Sequence, residues 1–343
     1  MCILCMGSEA NVMRALKYGV IGVGHLGKQH ARVAHSLDGA TLVGLHDTNS
    51  GTLTRVAAEL GVRPFLTLAE LVCSVEAVSI AVPTTSHFEV AMKCVSAGIH
   101  VMIEKPLAAT VDEAGALIEA ASKNSVVLQT GHIERFNPIV QASLAVISKP
   151  RFIEGHRLSS FVGRSMDIDV VLDLMIHDID LSLAAVDSEV RTVESIGVPI
   201  LSRNIDIANA RITFANGAVA NLTASRVSKE KIRKIRFFCA DSYISIDCLS
   251  RKAELYRKGL PAAARAGEGS WEETIIAPGI VRRVIVADPE QEPLRLELEH
   301  FVKCVVSGTT PAVDGLAGLR AMEVALKVIG KIREGIGGLP PQA

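Results

Sequence analysis

The sequence of 343 residues lacks several features that mark common classes of protein. Its 36 basic and 37 acidic residues nearly cancel, so there is no charge excess to favour nucleic acid or an anionic membrane as a partner. No apolar run approaches the roughly 20 residues that span a bilayer. Aromatic residues make up only 4% of the chain, which leaves few rings to stack on a bound base. We therefore expect neither nucleic acid nor a membrane as its partner.

Cysteine is also scarce, and its pattern argues against two kinds of site. The seven cysteines are scattered and odd in number, which is typical of a reducing compartment rather than of a disulfide framework. Cys2 and Cys5 form a C-x-x-C pair, but no second pair follows at the spacing of a zinc site. The first twelve residues lack the basic start and apolar core of a signal peptide. We expect a cytoplasmic protein whose folded part begins near Met13, with residues 1–12 as an N-terminal extension.

The composition that remains is globular, and the chain is too long for one ordinary core. Hydrophobic residues make up 49% and charged residues 21%. Up to about residue 131, short β-rich runs alternate with helical patterns, which predicts a doubly wound parallel sheet covered on both faces. Further on, a long apolar helix, several alternating strands and two final helices predict an α+β domain with an open, mostly antiparallel sheet. We predict two domains, 13–133 and 134–343.

The individual elements follow from the apolar periodicity and the turn residues. In the first part the predicted strands are 18–23, 41–46, 77–82, 100–104 and 126–130, with a weaker one at 63–66. In the second part a helix opens at Asn137-Pro138, the long helix covers 169–186, and the final helices cover 294–306 and 316–333. The predicted strands there are 152–158, 211–214, 218–223, 235–238, 243–247 and 253–256.

A glycine-rich segment follows the first predicted strand and opens a helix. Gly22, Gly24 and Gly27, with His25 and Leu26 in the intervening pair, form G-x-G-x-x-G. The three glycines permit a tight turn, close approach of a pyrophosphate, and close packing of helix on strand. The N-terminus of the helix then faces the phosphates with the positive end of its dipole. This context predicts a Rossmann-type dinucleotide-binding domain, with these five residues at the cofactor.

Asp47 ends the second predicted strand, twenty positions after Gly27. Its carboxylate would accept hydrogen bonds from the adenosine ribose hydroxyls and repel a 2′-phosphate. Thr48 and Asn49 supply no arginine for such a phosphate. The sequence therefore favours NAD over NADP. The alternative is that Asp47 simply caps the end of the strand.

Three further motifs carry a resemblance to a known family. Glu104-Lys105-Pro106 follows the fifth strand, an Ala-Val-Pro-Thr segment at 81–84 precedes His87, and Asp173 and His177 lie four residues apart in the long helix. The combination resembles the Gfo/Idh/MocA oxidoreductases, which include glucose-fructose oxidoreductase and inositol dehydrogenase. The resemblance covers essentially the whole chain after Met13.

The resemblance implies hydride transfer between a sugar or polyol carbon and the nicotinamide of NAD. Lys105 is then expected to contact the substrate hydroxyl, His177 to take the hydroxyl proton, and Asp173 to orient the sugar. The residues expected at the cofactor beside the glycine segment are Pro83, Thr84, His87, Glu104 and Lys105. Which of Lys105 and His177 accepts the proton stays open, and so does a buried His177 that is merely paired with its neighbouring carboxylate.

An alternative interpretation of the same helix is that Asp173, His177 and Asp180 form a metal site. Hydride transfer needs no metal here and no clear fourth ligand is present, so we expect none.

Three stretches, 131–138, 164–178 and 225–228, resemble the branch of the family that oxidises UDP-N-acetylglucosamine at C3, a step towards the diamino sugar of lipid A. Arg135, Arg164 and Arg226 are the arginines expected near a UDP-sugar diphosphate, since arginine binds phosphate through two donors. Each is equally suited to a surface or salt-bridged role. The basic run at 229–236 is a further candidate for the diphosphate, and His132 for a ligand contact or a local structural role.

Other readings of the function remain. An inositol dehydrogenase or a UDP-sugar-acid 3-dehydrogenase would use the same motifs. A non-catalytic NAD-binding sensor would share the architecture, but the presence of Lys105 and His177 favours an enzyme. The exposed face of the open sheet predicts a homo-oligomer, either a dimer or a tetramer.

Overall fold

The computed structural model describes residues 15–161, 168–259, 272–288 and 290–336. Within these ranges the chain forms one six-stranded and one nine-stranded sheet, each flanked by helices. The predicted pairing of a Rossmann-type α/β part with an α+β part is confirmed. The boundary at residues 133 and 134 stays a prediction, and Arg164 lies outside the described residues. In the same ranges, no helix combines the length and the apolar character that crossing a membrane requires.

The first sheet is parallel throughout, with the strand order β3-β2-β1-β4-β5-β6. The order reverses between β1 and β4, and such a switch point opens a crevice at the carboxyl ends of the strands. The central strand β4 is buried at all four positions, as expected for a strand covered on both faces. The strands are β1 Leu16–Ile21, β2 Ala40–His46, β3 Arg63–Pro64, β4 Ala77–Ile80, β5 His100–Glu104 and β6 Leu128–Gly131. The helices are α1 His25–His35, α2 Ser50–Leu60, α3 Leu68–Val72, α4 His87–Ser96 and α5 Val111–Lys123.

The second sheet is antiparallel apart from one parallel pair, β7 with β10. Its strand order is β14-β15-β13-β12-β11-β7-β10-β9-β8. The strands are β7 Phe152–Leu158, β8 Val190–Val198, β9 Ile207–Phe214, β10 Val219–Ser225, β11 Ile232–Phe238, β12 Ser242–Asp247, β13 Lys252–Lys258, β14 Glu272–Ala277 and β15 Ile280–Val286. The helices are α6 Pro138–Leu144, α7 Ile176–Val186, α8 Pro293–Ser307 and α9 Gly315–Ile336.

One face of the second sheet packs against α7 and α9. Alternate residues such as Ile153, Leu222 and Phe237 point to these helices and are fully buried, together with Ile179 and Val328. This alternation is the pattern of a sheet that is covered on one side only. The opposite face therefore keeps its side chains at the surface.

Helix α8 leaves the second sheet and packs on the first. Leu298, Phe301 and Val302 share a core with Tyr18 and Val20 of β1. The rings of Tyr18 and Phe301 meet edge to face at 6.2 Å between centroids. The C-terminal part of the chain thus helps to bury the nucleotide-binding sheet, which the sequence alone did not indicate.

Several predicted elements differ from the observed ones. The helix predicted over 169–186 contains a π-helical turn, Val171–Met175, before α7 begins. The weak strand predicted at 63–66 is reduced to the two residues of β3. Strands β8, β14 and β15 were not predicted, because their inward and outward positions do not alternate cleanly between apolar and polar.

The contact between α8 and the first sheet predicts a large loss of stability on truncation of Phe301. Phe301→Ala is expected to lower the free energy of unfolding by about 3–5 kcal/mol, since it removes a fully buried ring and leaves a cavity against Tyr18. Val306→Ala is the control, because Val306 lies on the same helix and is 46% exposed. Denaturant titration measures both, and equal losses in the two variants would contradict the packing described.

Candidate active site

The glycine loop between β1 and α1 is shaped to receive a dinucleotide. Gly22 has a φ of +80°, and a Cβ there would lie 2.8 Å from the backbone of Ala81. A Cβ on Gly27 would lie 1.7 Å from the carbonyl oxygen of Gly22, so helix and strand approach as closely as only glycine permits. A Cβ on Gly24 would meet nothing within 4 Å, and this position opens towards the crevice. The loop therefore fits the pyrophosphate of NAD.

Asp47 holds this loop in place. Its Oδ2 accepts a hydrogen bond from the Val23 amide at 2.7 Å, and its Oδ1 accepts one from the Asn49 amide at 2.8 Å. The capping role that the sequence left open is thus observed. The side chain is half-buried, and each carboxylate oxygen keeps a second lone pair for a ribose hydroxyl.

The loop after β4 lies beside the glycine loop. Pro83 is exposed and Thr84 is half-buried there, while His25 and Leu26 are exposed at the start of α1. His87 is different. Its two ring nitrogens lie 2.8 Å from the Pro106 carbonyl and 2.9 Å from the Val82 carbonyl, and the ring is buried. Burial lowers the pKa of His87, although the two carbonyl contacts oppose that shift, and the ring lies between two loops rather than being directed at a ligand.

Glu104 connects the end of β5 to the cofactor helix. Its Oε1 lies 2.9 Å from Nε2 of His30 on α1, and its Oε2 accepts a hydrogen bond from the Lys105 amide at 3.2 Å. Burial raises the pKa of Glu104, but the His30 contact and the charge of Lys105 outweigh it and lower the pKa overall. The other nitrogen of His30 meets the Ser79 hydroxyl at 3.1 Å. Sequence analysis did not identify His30.

Lys105 bridges the two halves of the chain. Its ammonium donates to the backbone carbonyl of Asp173 at 2.7 Å and to Oδ1 of the same residue at 3.3 Å. The Lys105 side chain is 12% exposed and that of Asp173 is 26% exposed. Asp173 lies in the π-helical turn, a local widening that is often found at functional sites.

His177 is the second residue of α7, one turn beyond Asp173, and is half-buried. Burial lowers its pKa well below the ordinary value, and the positive charges of Lys105 and Arg157 lower it further. The imidazole is therefore neutral at physiological pH and has one nitrogen that can accept a proton. The His132 ring stands edge-on to it, with 6.4 Å between centroids.

A buried ion cluster behind His177 fixes the start of α7. Arg157 on β7 donates to both oxygens of Asp178 and, at 2.8 Å, to Oε1 of Glu134. Burial lowers the pKa of Arg157, but the two carboxylates outweigh it and hold the guanidinium charged. A single apolar residue at this position would leave Asp178 buried without its guanidinium partner, while Glu134 would keep only its contacts to Asn137 and Arg233, so we expect replacement of Arg157 alone to be destabilising. It is a second feature that sequence analysis missed.

The arginines predicted for a diphosphate lie in different surroundings. Arg226 is buried and donates to Oδ1 of Asp206 at 2.8 Å and to the carbonyl of Ile168, so it has the salt-bridged role. Arg135 lies 3.5 Å from Oδ1 of Asp180 and its side chain is 20% exposed. Arg233, from the basic run at 229–236, is 39% exposed, and its positive charge acts on His177. Among the described residues, no group of histidine, cysteine and acidic side chains is suited to hold a metal ion.

The fold and the crevice together define a dinucleotide-dependent oxidoreductase. Residues 16–132 match the oxidoreductase family with an NAD-binding Rossmann fold, and residues 146–245 match the GFO/IDH/MocA C-terminal domain. The chain belongs to the GFO/IDH/MocA oxidoreductase family and uses NAD as its cofactor.

Individual relatives agree with this assignment. The chain is 40% identical over 316 residues to UDP-N-acetylglucosamine 3-dehydrogenase of Acidithiobacillus ferrooxidans, covering 91% of this chain and 96% of the relative. A crystal form of that enzyme matches with a TM-score of 0.85, covering 94% of this chain and 99% of the other at 37% identity. The scyllo-inositol 2-dehydrogenase (NAD(+)) of Bacillus subtilis is 27% identical over 346 residues, covering 94% and 95%.

His132 at the edge of the site predicts a pH-dependent stability. It is 1% exposed, and burial lowers its pKa. Below about pH 6.5 the unfolded chain therefore binds a proton that the folded ring resists, and stability falls by up to about 1.4 kcal/mol per pH unit from this one residue. In His132→Gln that loss is absent, so the variant should gain on the wild type as the pH decreases from about 7 to about 5.5.

Denaturant unfolding at several pH values measures the difference. His156→Gln, on the half-exposed side of β7, is the control for the substitution itself. Parallel stability curves for the wild type and His132→Gln would contradict the prediction.

Proposed function

We propose that this enzyme oxidises the C3 hydroxyl of UDP-N-acetylglucosamine to the 3-keto sugar nucleotide. The observation that carries the proposal is the contact of Lys105 with Asp173, one helical turn before His177, in a chain that resembles the Acidithiobacillus enzyme over nearly its full length. The proposed product is a ketone suited to amination, which is consistent with a place in the synthesis of a diamino sugar for lipid A.

The proposed chemistry divides among these three side chains. NAD, when bound, supplies the nicotinamide that takes the hydride from the sugar carbon. The Lys105 ammonium binds the reacting hydroxyl and stabilises negative charge on its oxygen as the proton leaves. His177 removes that proton as a general base, since its ring is neutral at physiological pH. Asp173 keeps Lys105 in position through two contacts and orients the sugar.

The cofactor is held by the residues of the glycine loop and its neighbours. We assign the pyrophosphate to Gly22, Gly24 and Gly27, whose geometry leaves room for it. Asp47 binds the ribose with the lone pairs that its backbone contacts leave free. Pro83 and Thr84 border the nicotinamide, and Glu104 acts through its contacts to His30 and Lys105.

The diphosphate of the substrate needs a cation that reaches the crevice. Arg135 and Arg233 are the proposed ligands, because both are partly exposed and both act electrostatically on the buried histidines of the site. Arg226 is occupied by Asp206 and is not proposed for this role.

The open face of the second sheet supports an oligomer of this chain. Phe152, Phe238, Tyr243 and Tyr256 lie in register on four neighbouring strands, with centroids 4.8–5.6 Å apart. All four are only half-buried. An aromatic row of this kind, on the face of the sheet opposite α7 and α9, is typical of an interface core. We infer that a second copy covers it, in a dimer or a tetramer.

The cysteines support the compartment that we propose. All five that lie in described residues are free thiols, as expected for a protein of the reducing cytoplasm.

Turnover of UDP-N-acetylglucosamine with NAD tests the activity. We expect NADH formation and a ketone product by mass spectrometry, in the presence of an aminotransferase and amino donor that remove the ketone. Lys105→Ala and His177→Ala should each lower the rate by about 10²–10⁴-fold, because each removes a group that acts on the leaving proton. NAD binding, measured by calorimetry, should remain.

Lys93→Ala is the control, since Lys93 lies on the exposed face of α4. Turnover only with an inositol or a UDP-uronate would exclude the proposed substrate and keep the mechanism. Tight NAD binding without turnover of any sugar would favour the sensor.

The oligomer is tested by light scattering coupled to size exclusion. We expect a mass that is a multiple of the 36.5 kDa chain. Tyr243→Glu should shift it towards the single chain, because a carboxylate would be buried in the apolar interface. Val306→Glu, on α8 and far from this face, is the control. A wild-type mass of one chain would refute the proposed interface.

A further inference from the structure

Buried polar atoms without a partner are concentrated behind the catalytic crevice. The described residues contain nine such side-chain atoms, and two of these, Ser143 Oγ and Arg282 Nε, lie elsewhere. The other seven belong to five residues: Gln129, His132, His177, Asp180 and Glu297. Buried polar groups in native proteins almost always have a partner, so this concentration demands an explanation.

These five residues are neighbours. The Gln129 side chain donates to the backbone carbonyl of Glu297 at 3.2 Å, and the His132 and His177 rings are 6.4 Å apart. Asp180 lies three residues after His177 on α7 and therefore on the same face of the helix. We call this group of five residues the polar chamber.

Helix α8 closes the chamber from the side of the first sheet. Glu297 precedes His300 by three residues, and the His300 ring packs on Phe136 at 5.2 Å between centroids. Four residues after Glu297, Phe301 packs on Tyr18. Glu297 is thus held between β1 and the segment that follows β6, with no exposed surface.

Ordered water is the occupant that the chemistry of the chamber favours. A buried water molecule makes two to four hydrogen bonds to polar groups that lack other partners. The chamber supplies carboxyl, amide and imidazole atoms of this kind from β6, the segment that follows it, α7 and α8. Within the described part of the chain, none of the seven atoms forms a hydrogen bond with another protein group.

His177 separates the chamber from the crevice. Its Nδ1 is buried among the unpartnered atoms, whereas Nε2 is not among them and the ring as a whole is half-buried. One nitrogen therefore faces the chamber and the other edge of the ring faces the substrate side. An imidazole in this position can accept a proton on one nitrogen while releasing another from the opposite one.

We propose that the polar chamber contains ordered water and that it receives the proton which His177 takes from the substrate, with the Asp180 carboxylate as the acceptor. This inference rests on the proposed function for its substrate proton. The hydration of the chamber does not depend on that function.

The proton transfer balances as follows. The hydrogen of the sugar C–H bond leaves with the bonding electron pair as a hydride to NAD. The O–H bond breaks as its proton passes to Nε2 of His177, and the electron pair of that bond forms the second C=O bond of the ketone. The proton on Nδ1 passes to a chamber water, and that water gives one of its own protons to Asp180. The products are the ketone, NADH, a neutral His177 and a protonated Asp180.

The charges around the chamber are consistent with this direction. Burial lowers the pKa of His177 well below its ordinary value, so the ring does not retain a proton at neutral pH. Burial and the negative charges of Glu104 and Asp180 raise the pKa of Glu297 well above its ordinary value. In this proposal Glu297 is the neutral acid that donates a hydrogen bond to a water of the chamber. The other charged or titratable groups that act on its members are Tyr18, Glu104, Lys105, Arg135, Arg157 and Arg233.

Arg135 lies between Asp180 and solvent, on the path by which the proton would leave the chamber. Asp180 Oδ1 lies 3.5 Å from Nη1 of Arg135, whose side chain is 20% exposed. A proton held on Asp180 therefore lies one residue from solvent.

The apoprotein tests the chamber without any substrate. Infrared spectroscopy should detect the carbonyl band of a protonated carboxyl group, and the band should shift in D₂O as water exchanges into the chamber. It should disappear in Glu297→Gln and remain in Glu299→Gln, which makes the same change on the exposed side of α8. A high-resolution crystal structure should show water bonded to Asp180, Glu297 and His177 Nδ1.

The kinetics test the transfer. Asp180→Asn keeps the shape of the side chain but cannot take the proton, so the single-turnover rate should fall by about 10²-fold and its solvent deuterium isotope effect should rise. The KM for NAD should change little, and Asp180→Glu should restore part of the rate. A purely structural role for Asp180 would not change the isotope effect.

The outcomes separate the two proposals. A chamber whose side chains bond directly to one another without water, or an apoprotein without the carboxyl band, would refute the hydrated chamber. An Asp180→Asn enzyme with the wild-type rate and isotope effect would refute the transfer. Failure of the wild type to oxidise the sugar would refute the proposed function and the transfer of that substrate proton, whereas the band and the waters of the apoprotein would still decide whether the chamber is hydrated.

Discussion

The contact between Lys105 and Asp173 is the constraint on which the site depends. Lys105 follows the last residue of a parallel strand, and Asp173 lies in a π-helical turn of the other half of the chain. Neither half forms the site alone. The ammonium meets both a carbonyl and a carboxylate, at 2.7 Å and 3.3 Å, and it can hold this position only while the two halves stay packed. Helix α8 secures that packing, because its apolar face belongs to the core of the first sheet.

The same contact sets the electrostatics of the crevice. Burial lowers the pKa of His177 most, and the positive charges of Lys105 and Arg157 lower it further. The carboxylates are arranged to satisfy these two cations rather than the imidazole. Asp178 and Glu134 bind Arg157, and Asp173 binds Lys105. His177 is therefore left as a neutral ring among charges that are already paired, which is the state that a proton acceptor needs.

The sequence predicted those parts of the molecule whose signals are local. Strand β5 was predicted with its observed bounds, His100–Glu104, because a short apolar run ends there at a charged pair and a proline. The glycine loop was predicted because steric demands at Gly22 and Gly27 exclude other residues. The π-helical turn was not predicted, since a run of Val, Leu and Met gives the same apolar pattern in an α-helix and in a π-helix. The residues that hold the site in place were missed for a related reason. Arg157 and Glu297 look like solvent-facing positions of a strand and a helix, and only the packing of distant segments buries them.

Glu297 and Arg157 are both ionisable residues that are buried in the core, but they differ in whether other side chains compensate for their burial. Arg157 is matched by carboxylates on two other elements, so its burial is compensated by direct hydrogen bonds. Glu297 has no such partner among the described residues, and its neighbours Glu104 and Asp180 are themselves acidic. A leucine at this position would avoid the cost of a buried carboxyl, as it does one residue later at Leu298. Stability alone therefore does not account for an acid here. As a hydrogen-bond donor to water in the polar chamber, Glu297 has a use that an apolar residue could not supply.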